Sequence, residues 1–265
     1  MLSCQNVSIE RGNRPILDSV NFTANTGELI VLLGENGAGK STLLSAICND
    51  ISYTGQITID NQPLQSFDEL TLATKRAVLL QNNQVNFSFS ATELIAMGRY
   101  PYHESIHEQK QVVNQLITQL TLEKLAVRDV TALSGGEFQR VQFARCLAQL
   151  DAHKANTKGK LMLLDEPTSA LDMHHQHLTL SKAKSFAQQG NIVIAVLHDL
   201  NLTSLYADRV LLLNNGQLCH DGTPQEVLQS SVLQPIYKTH MQITTHPTYQ
   251  IPMIFSEPQL GVTHA

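Results

Sequence analysis

Apolar residues recur along this chain in short unbroken runs, each ending on glycine or on a polar cluster. Glu28-Leu29-Ile30-Val31-Leu32-Leu33, Arg76-Ala77-Val78-Leu79-Leu80, Leu161-Met162-Leu163-Leu164 and Asn191-Ile192-Val193-Ile194-Ala195-Val196-Leu197 are of strand length and predict buried strands. Val7-Ser8-Ile9 and Gln56-Ile57-Thr58-Ile59-Asp60 are short β-rich runs within residues 1–26 and 54–60, flanked by Gly and Asn turns. Residues 82–132 turn helical, and Val113, Leu116, Ile117 and Leu120 follow the spacing of one helix face. That stripe reads as subdomain core and not as a ligand groove. Past residue 213, Asn214-Asn215-Gly216-Gln217 predicts a hairpin turn, and Gly222-Thr223-Pro224 introduces a helix at 224–230. The tail, with Pro235, Pro247, Pro252 and Pro258, is expected to be irregular. No internal repeat or low-complexity tract is visible.

The strand at 28–33 runs into Gly34-Glu35-Asn36-Gly37-Ala38-Gly39-Lys40-Ser41-Thr42, which fits GxxxxGK[ST] at every specified position. Thr42-Leu43-Leu44-Ser45-Ala46-Ile47 then predicts a helix, the context that separates this motif from a turn without a ligand. Glycines let the backbone curl so that successive N–H groups and a helix N-terminus converge on phosphate oxygens. Gly34, Asn36, Gly37, Ala38, Gly39, Lys40, Ser41 and Thr42 are therefore candidate phosphate-binding residues. Lys40 supplies a point charge for the β- and γ-phosphates, and the Ser41 hydroxyl is placed for Mg²⁺. The chain reads as a binder of a nucleoside triphosphate.

Two further runs carry acids and amides to a phosphate. Leu161–Leu164 ends on Asp165 and Glu166, and a buried strand ending in acids delivers them to the ligand-binding edge of an open α/β sheet. In Leu133-Ser134-Gly135-Gly136-Glu137, Ser134 is placed to cap a helix and Glu137 to complete a capping box. The adjacent glycines leave the first amides of that helix open, which makes a second anion site.

Taken in order, these runs resemble the ATP-binding cassette (ABC) proteins over nearly the whole chain. The resemblance implies an α/β P-loop NTPase fold, an ABC ATPase core with an antiparallel β-subdomain and a helical subdomain at about 82–145. It implies a single nucleotide-binding domain over 1–265, with a C-terminal tail at about 231–265. The LSGGE run and the basic, Gln-containing helix after it resemble the family signature, in which Ser134, Gly135 and Gly136 would contact the γ-phosphate held by the other subunit of a dimer. By the same resemblance Asp165 would hold Mg²⁺ through water and Glu166 would polarise the attacking water. Ser169-Ala170-Leu171-Asp172 looks like the D-loop that crosses the dimer interface. His198 matches the histidine at the γ-phosphate, and Gln81 the glutamine that senses Mg²⁺ and the membrane partner. One position departs from the pattern: Arg11 stands where the family places an aromatic residue against adenine. An arginine plane can lie over a purine, but loosely, so GTP is expected to serve within about tenfold of ATP.

Two segments narrow the family. Ala91-Thr92-Glu93-Leu94-Ile95-Ala96-Met97-Gly98-Arg99-Tyr100-Pro101 resembles the ELxxxGRxP segment in ATPases of iron-siderophore, haem and cobalamin importers. That likeness puts Arg99 and Tyr100 in the groove that receives a coupling helix of the membrane subunit. The run from Asp165 to His177, the runs Val196–Leu202 and Tyr206–Arg209, and the polar insertion 151–160 look most like haemin-importer ATPases. The implied function is the ATP-hydrolysing subunit of an ABC importer that energises haem uptake. It would work with ATP and Mg²⁺ as a head-to-tail homodimer on the cytoplasmic face of the inner membrane. Its partners would be an integral membrane permease and, indirectly, a periplasmic haem-binding protein. Ferric siderophore or cobalamin import is the alternative. A soluble cassette ATPase usually carries two cassettes or a long coiled-coil insertion, and the sequence has neither. His174, His175 and His177 look like a haem or metal site, but their spacing spreads the three rings over different helix sectors.

Composition adds mainly exclusions. With 42% hydrophobic and 15% charged residues the 265-residue chain can bury a large core and is neither disordered nor fibrous. Its net charge of −5 and the lack of a basic stripe argue against nucleic acid. No apolar stretch approaches the ~20 residues that span a bilayer, and residues 1–6 do not read as a secretory signal. Cys4, Cys48, Cys146 and Cys219 lie far apart and read as packing residues in a reducing compartment.

Overall fold

In the computed structural model, which describes residues 1–12, 14–80, 87–151 and 158–257, the unbroken apolar runs form the middle of one six-stranded sheet. The chain begins with β1 (Leu2–Arg11) and β2 (Arg14–Ala24), then β3 (Leu29–Leu33), α1 (Lys40–Ile47), β4 (Thr54–Ile59), β5 (Gln62–Pro63), α2 (Glu69–Lys75) and β6 (Arg76–Leu79). Three helices follow: α3 (Ala91–Met97), α4 (Ile106–Gln119) and α5 (Gly135–Leu150). Next come β7 (Leu161–Asp165), α6 (Met173–Gln188), β8 (Ile192–Val196), α7 (Leu200–Tyr206), β9 (Arg209–Asn214) and β10 (Gln217–Gly222). The last described elements are α8 (Pro224–Val227), α9 (Ser230–Tyr237) and the hairpin of β11 (Met241–Thr245) and β12 (Pro252–Ser256).

The large sheet has the order β10-β9-β3-β8-β7-β6, parallel throughout except for the hairpin strand β10. Every residue of β3, β7 and β8 is buried. Alternation explains why the runs show no polar positions. Leu29, Val31 and Leu33 face a core built with α3–α9, while Ile30 and Leu32 face a second core built with β1, β2, β4 and α1. A sheet covered on both faces needs apolar residues at both parities. The β-rich N-terminal runs form a separate antiparallel sheet, β2-β1-β4-β5, as the resemblance implied. Val113, Leu116, Ile117 and Leu120 are all buried, so the stripe on α4 is core.

Several expectations need correction. The tail is ordered through residue 257: Pro235 sits inside α9 and Pro252 opens β12. Burial of Leu233 and Ile236 offsets the one helical bond that Pro235 removes, and a strand's first position tolerates proline. The helix expected at 224–230 stops at Val227, and a new one starts at Ser230. Cys219 is exposed: it lies on the edge strand β10, where His220 and Asp221 are exposed as well, as the extra residue of a bulge between Leu218 and His220. Within the insertion, residues 152–157 lie outside the described residues.

Arg99 is not in a groove at all. It is 2% exposed, whereas the adjacent Tyr100 is 88% exposed. The last carbonyls of an α-helix run out of helical partners; in α5 the C-cap still completes one i→i+4 bond, and side chains take the other three. Asp151 N donates to Leu147 O (2.9 Å), Arg99 Nη1 to Ala148 O (2.6 Å), Tyr102 Oη to Gln149 O (2.7 Å) and Lys160 Nζ to Leu150 O (2.7 Å). Arg99 also bonds the carbonyl of Asp151, grips Glu104 through Nε (2.8 Å) and Nη2 (2.6 Å), and lies over the Tyr102 ring. Two cations thus sit at the negative end of the helix dipole. Burial pulls the Lys160 ammonium down to about 8.

Arg99→Ala is expected to lower unfolding stability by about 3 kcal/mol or more in urea titrations, because it strips these caps and strands Glu104. Arg99→Lys recovers only part, since a point charge lacks the planar fork. A loss under ~1 kcal/mol for the Ala variant would refute this account of the cap.

Candidate active site

The parallel sheet brings three loops to one edge. The phosphate loop follows β3, Asp165 ends β7 with Glu166 next to it, and Leu197-His198 follow β8, which lies between β3 and β7. This is the carboxyl edge, where doubly wound sheets bind ligands. The helix after the loop starts at Lys40, two residues earlier than the apolar pattern suggested, with Gly39 left-handed at its N-cap. Ile16, Asn36, Gly37, Gly39, Lys40, Ser41, Thr42 and Glu166 line a cleft of about 260 Å³. A larger cavity of about 530 Å³ opens among α4, α5 and α6, away from these loops and without a glycine loop or helix N-terminus in its wall.

Lys40 is 6% exposed and its Nζ donates to the carbonyls of Gly34 (2.7 Å) and Glu35 (2.9 Å). Burial lowers its ammonium below the ordinary value, against the pull of the Glu166 and Asp165 carboxylates. Ser41 Oγ donates to Asp165 Oδ1 at 3.3 Å, and burial holds the Asp165 carboxyl above the usual range despite that bond. A hydroxyl beside a buried carboxylate fits Mg²⁺, a cation that takes oxygen ligands and keeps water or substrate phosphate in its remaining positions. Among the described residues no three His, Cys, Asp or Glu side chains converge on a metal, so the donor set matches a shared cation and not a protein-only cage.

Glu166 has φ of 51°, a left-handed backbone that an L residue holds only when its surroundings impose it. Its carbonyl accepts bonds from Gln139 Nε2 (2.7 Å) and Ser169 Oγ (3.1 Å), and its Oε1 lies 2.5 Å from His198 Nε2. The predicted pair Glu166 and His198 is therefore in direct contact. Gln139 was visible in the sequence only as part of a Gln-containing helix. Its role comes from α5 passing beside the residue that follows β7, a contact no spacing rule announces.

Ser134 caps α5 as expected, accepting from Glu137 N (3.3 Å) while Glu137 Oε2 accepts from Ser134 N (2.8 Å). Gly136 has a second reason to be glycine: a Cβ there would lie 2.4 Å from the carbonyl oxygen of Ala170. The signature thus packs on the D-loop of its own chain. Ser134 and Gly135 remain exposed and do not line the cleft that holds Lys40. Asp172 caps α6, accepting from His175 N (2.9 Å) and facing His175 Nδ1 (2.8 Å); the His175 backbone bond is the largest cause of its lowered carboxyl. The histidine run does not form one site. His177 Nδ1 pairs instead with Tyr206 Oη at 2.7 Å. Arg11 is exposed at the β1–β2 turn and is not in the cleft wall, whereas Ile16, which the sequence reading passed over, is. Gln81 lies outside the described residues.

Ile16→Ala is expected to weaken ATP binding about five- to tenfold in isothermal titration, near the ~1 kcal/mol of a partly buried aliphatic contact. Arg11→Ala should change it less than twofold. The reverse order would return the base contact to Arg11.

Residues 17–169 match the family model described as ABC transporter. The hemin import ATP-binding protein HmuV of Idiomarina loihiensis is 42% identical over 258 residues, covering 97% of this chain and 98% of that protein. HmuV of Pseudomonas aeruginosa is 40% identical over 255 residues, covering 96% and 99%. Among solved structures, a metal-chelate type ABC transporter in an inward-facing conformation is similar at a TM-score of 0.79 and 28% identity, covering 97% of both chains. An ATP-binding cassette solved as a dimer with ADP and Pi, in a post-hydrolysis state, gives 0.74 and 26%, covering 84% of this chain and 99% of that one. With more than half its length matched by the family model and curated relatives aligned end to end, the chain belongs to the ABC transporter family, as an ATP-hydrolysing cassette.

Proposed function

We propose that this cassette is the ATPase subunit of a haem importer. It binds ATP with Mg²⁺ and works as a head-to-tail homodimer on the cytoplasmic side of a membrane permease. The end-to-end likeness to the hemin import ATP-binding proteins carries the cargo assignment. Among the described residues no helix is long and apolar enough to cross a membrane, so a path for haem would have to come from another chain.

The phosphate loop amides from Gly37 to Thr42, together with Lys40, would hold the β- and γ-phosphates. Ser41, Asp165 and the glutamine at Gln81 would hold Mg²⁺, which neutralises charge on the phosphates. Glu166 is the group placed to take a proton from the attacking water, and His198, 2.5 Å from it, keeps the carboxylate aimed along the edge of the sheet. Ser134 and Gly135 stand exposed, Gly136 half-buried beside them, and all three lie outside the cleft of their own chain. A second copy turned head to tail would bring them onto the γ-phosphate, and Asp172 with the D-loop to the same seam. Such a dimer buries two nucleotides in one symmetric interface.

Glu166→Gln should keep ATP binding, lose at least ~10²-fold in phosphate release, and run as an ATP-bound dimer on size exclusion. Lys40→Ala should neither bind nor dimerise. Near wild-type turnover of the Gln variant would remove Glu166 from the chemistry.

Reconstituted in liposomes with its permease, the complex should hydrolyse ATP faster when a haem-loaded binding protein is added outside, and haem should cross the bilayer. Transport of a ferric siderophore or cobalamin in place of haem would overturn the cargo and leave the ATPase intact.

A further inference from the structure

The segment after α8 touches the phosphate loop, and neither the cleft nor the chemistry described above uses that contact. Gly34 N donates to Tyr237 Oη at 3.2 Å. Gly34 O accepts from Lys40 Nζ at 2.7 Å, so both polar groups of the loop's first residue are engaged, one by the C-terminal helix and one by the phosphate lysine. Gly34 has φ of 145°, and a Cβ there would lie 2.3 Å from Leu213 O, so its backbone has little room to relax. Burial raises the Tyr237 phenol above its ordinary value, which keeps the oxygen a neutral hydroxyl toward Gly34. The next residue, Lys238, reaches Glu35 Oε2 at 3.5 Å, an exposed pair of small weight.

Tyr237 is itself held in place. Leu233 and Ile236 bury the inner face of α9. Ser230 Oγ (3.1 Å) and Gln234 Nε2 (3.0 Å) both donate to Met241 O, which ties α9 to the β11–β12 hairpin. The hairpin is anchored in turn on α7. Asn201 pairs with Ile254 like a strand neighbour, Nδ2 to its carbonyl (3.1 Å) and Oδ1 from its N–H (2.8 Å), and Ser204 Oγ donates to Pro252 O (2.6 Å). The α7 N-cap is Asp199, directly after His198. One C-terminal segment therefore braces the entry of the phosphate loop and the helix behind His198.

We propose that Tyr237 is a positioning residue for nucleotide binding, its hydroxyl holding the Leu33–Gly34 peptide and so fixing Gly34, whose own carbonyl in the next peptide seats Lys40 for the phosphates. The inference rests on the reading that residues 34–42 hold the phosphates of ATP. Without the hydroxyl, the Gly34 N–H loses the acceptor it has here. The N–H and the carbonyl of Gly34 belong to successive peptides joined at its Cα, so even a small shift of the first moves that Cα and displaces the carbonyl beneath Lys40. Binding suffers, while Glu166 and His198 on the neighbouring strands stay in place.

Tyr237→Phe in the full chain tests this, because it keeps the ring and removes only the acceptor. Kd for ATP by isothermal titration and KM in hydrolysis should both rise about tenfold, with kcat within about twofold of wild type. The double variant Ser230→Ala with Gln234→Ala leaves the ring untouched but loosens α9, and should raise KM two- to threefold. If both variants keep KM and Kd within twofold of wild type, or if Tyr237→Phe lowers kcat alone, Tyr237 is only a packing residue and the inference fails. Lys40→Ala, run beside them, separates the two ideas. Loss of ATP binding there with an unchanged Tyr237→Phe sinks the inference alone, whereas retained binding by Lys40→Ala sinks the loop reading and the inference together.

Discussion

The site depends on helix α5 being held at both ends. At its N-terminus Gly136 lies against the Ala170 carbonyl, and one turn on, Gln139 bonds the carbonyl of Glu166. At its C-terminus the carbonyls left without a helical partner are taken by Arg99, Tyr102 and Lys160. A rod pinned in this way cannot slide or rotate without breaking buried polar contacts. The segment around Arg99 is therefore mechanically continuous with Glu166, the carboxylate proposed to act on water. Arg99 serves that continuity from inside the fold, and the exposed neighbour Tyr100 is what remains available to a partner.

Burial dominates the electrostatics of the cleft. Lys40 is buried with its ammonium lowered, and Asp165 is buried with its carboxyl raised, although the two carry opposite charge and share one edge. Burial is the largest cause for each. Triphosphate oxygens would offset the first, and a divalent cation the second, so binding of the pair together restores what folding withdrew from water. The left-handed backbone at Glu166 belongs to the same economy of strain: neighbouring hydrogen bonds hold a conformation that aims one carboxylate at His198.

The long-range bonds share a pattern in which side chains finish what backbone leaves open. Asn201 completes the edge of β12, Tyr237 completes the N–H of Gly34, and Arg99 completes α5. Each joins elements far apart in the chain.

Much of this was legible without coordinates. Burial on both faces of a parallel sheet forces unbroken apolar runs, so β3, β7 and β8 announced themselves; the phosphate loop, the acids at 165–166 and the cap at Ser134 follow from motif and spacing, whereas His198 was singled out only by the family resemblance. Local turn chemistry likewise gave away the Asn215-Gly216 hairpin and the cap at Ser134. What spacing could not reveal are contacts between residues far apart in sequence. Arg99 reads as a surface arginine until α5 is seen to end against it. Ile16 reads as an ordinary strand residue until β2 is seen to border the loop. The prolines of the tail signal irregularity until Leu233, Ile236 and the α7 anchor show what packs around them. In each case local propensity is worth about 1–3 kcal/mol, and burial with paired polar groups in the folded chain outweighs it.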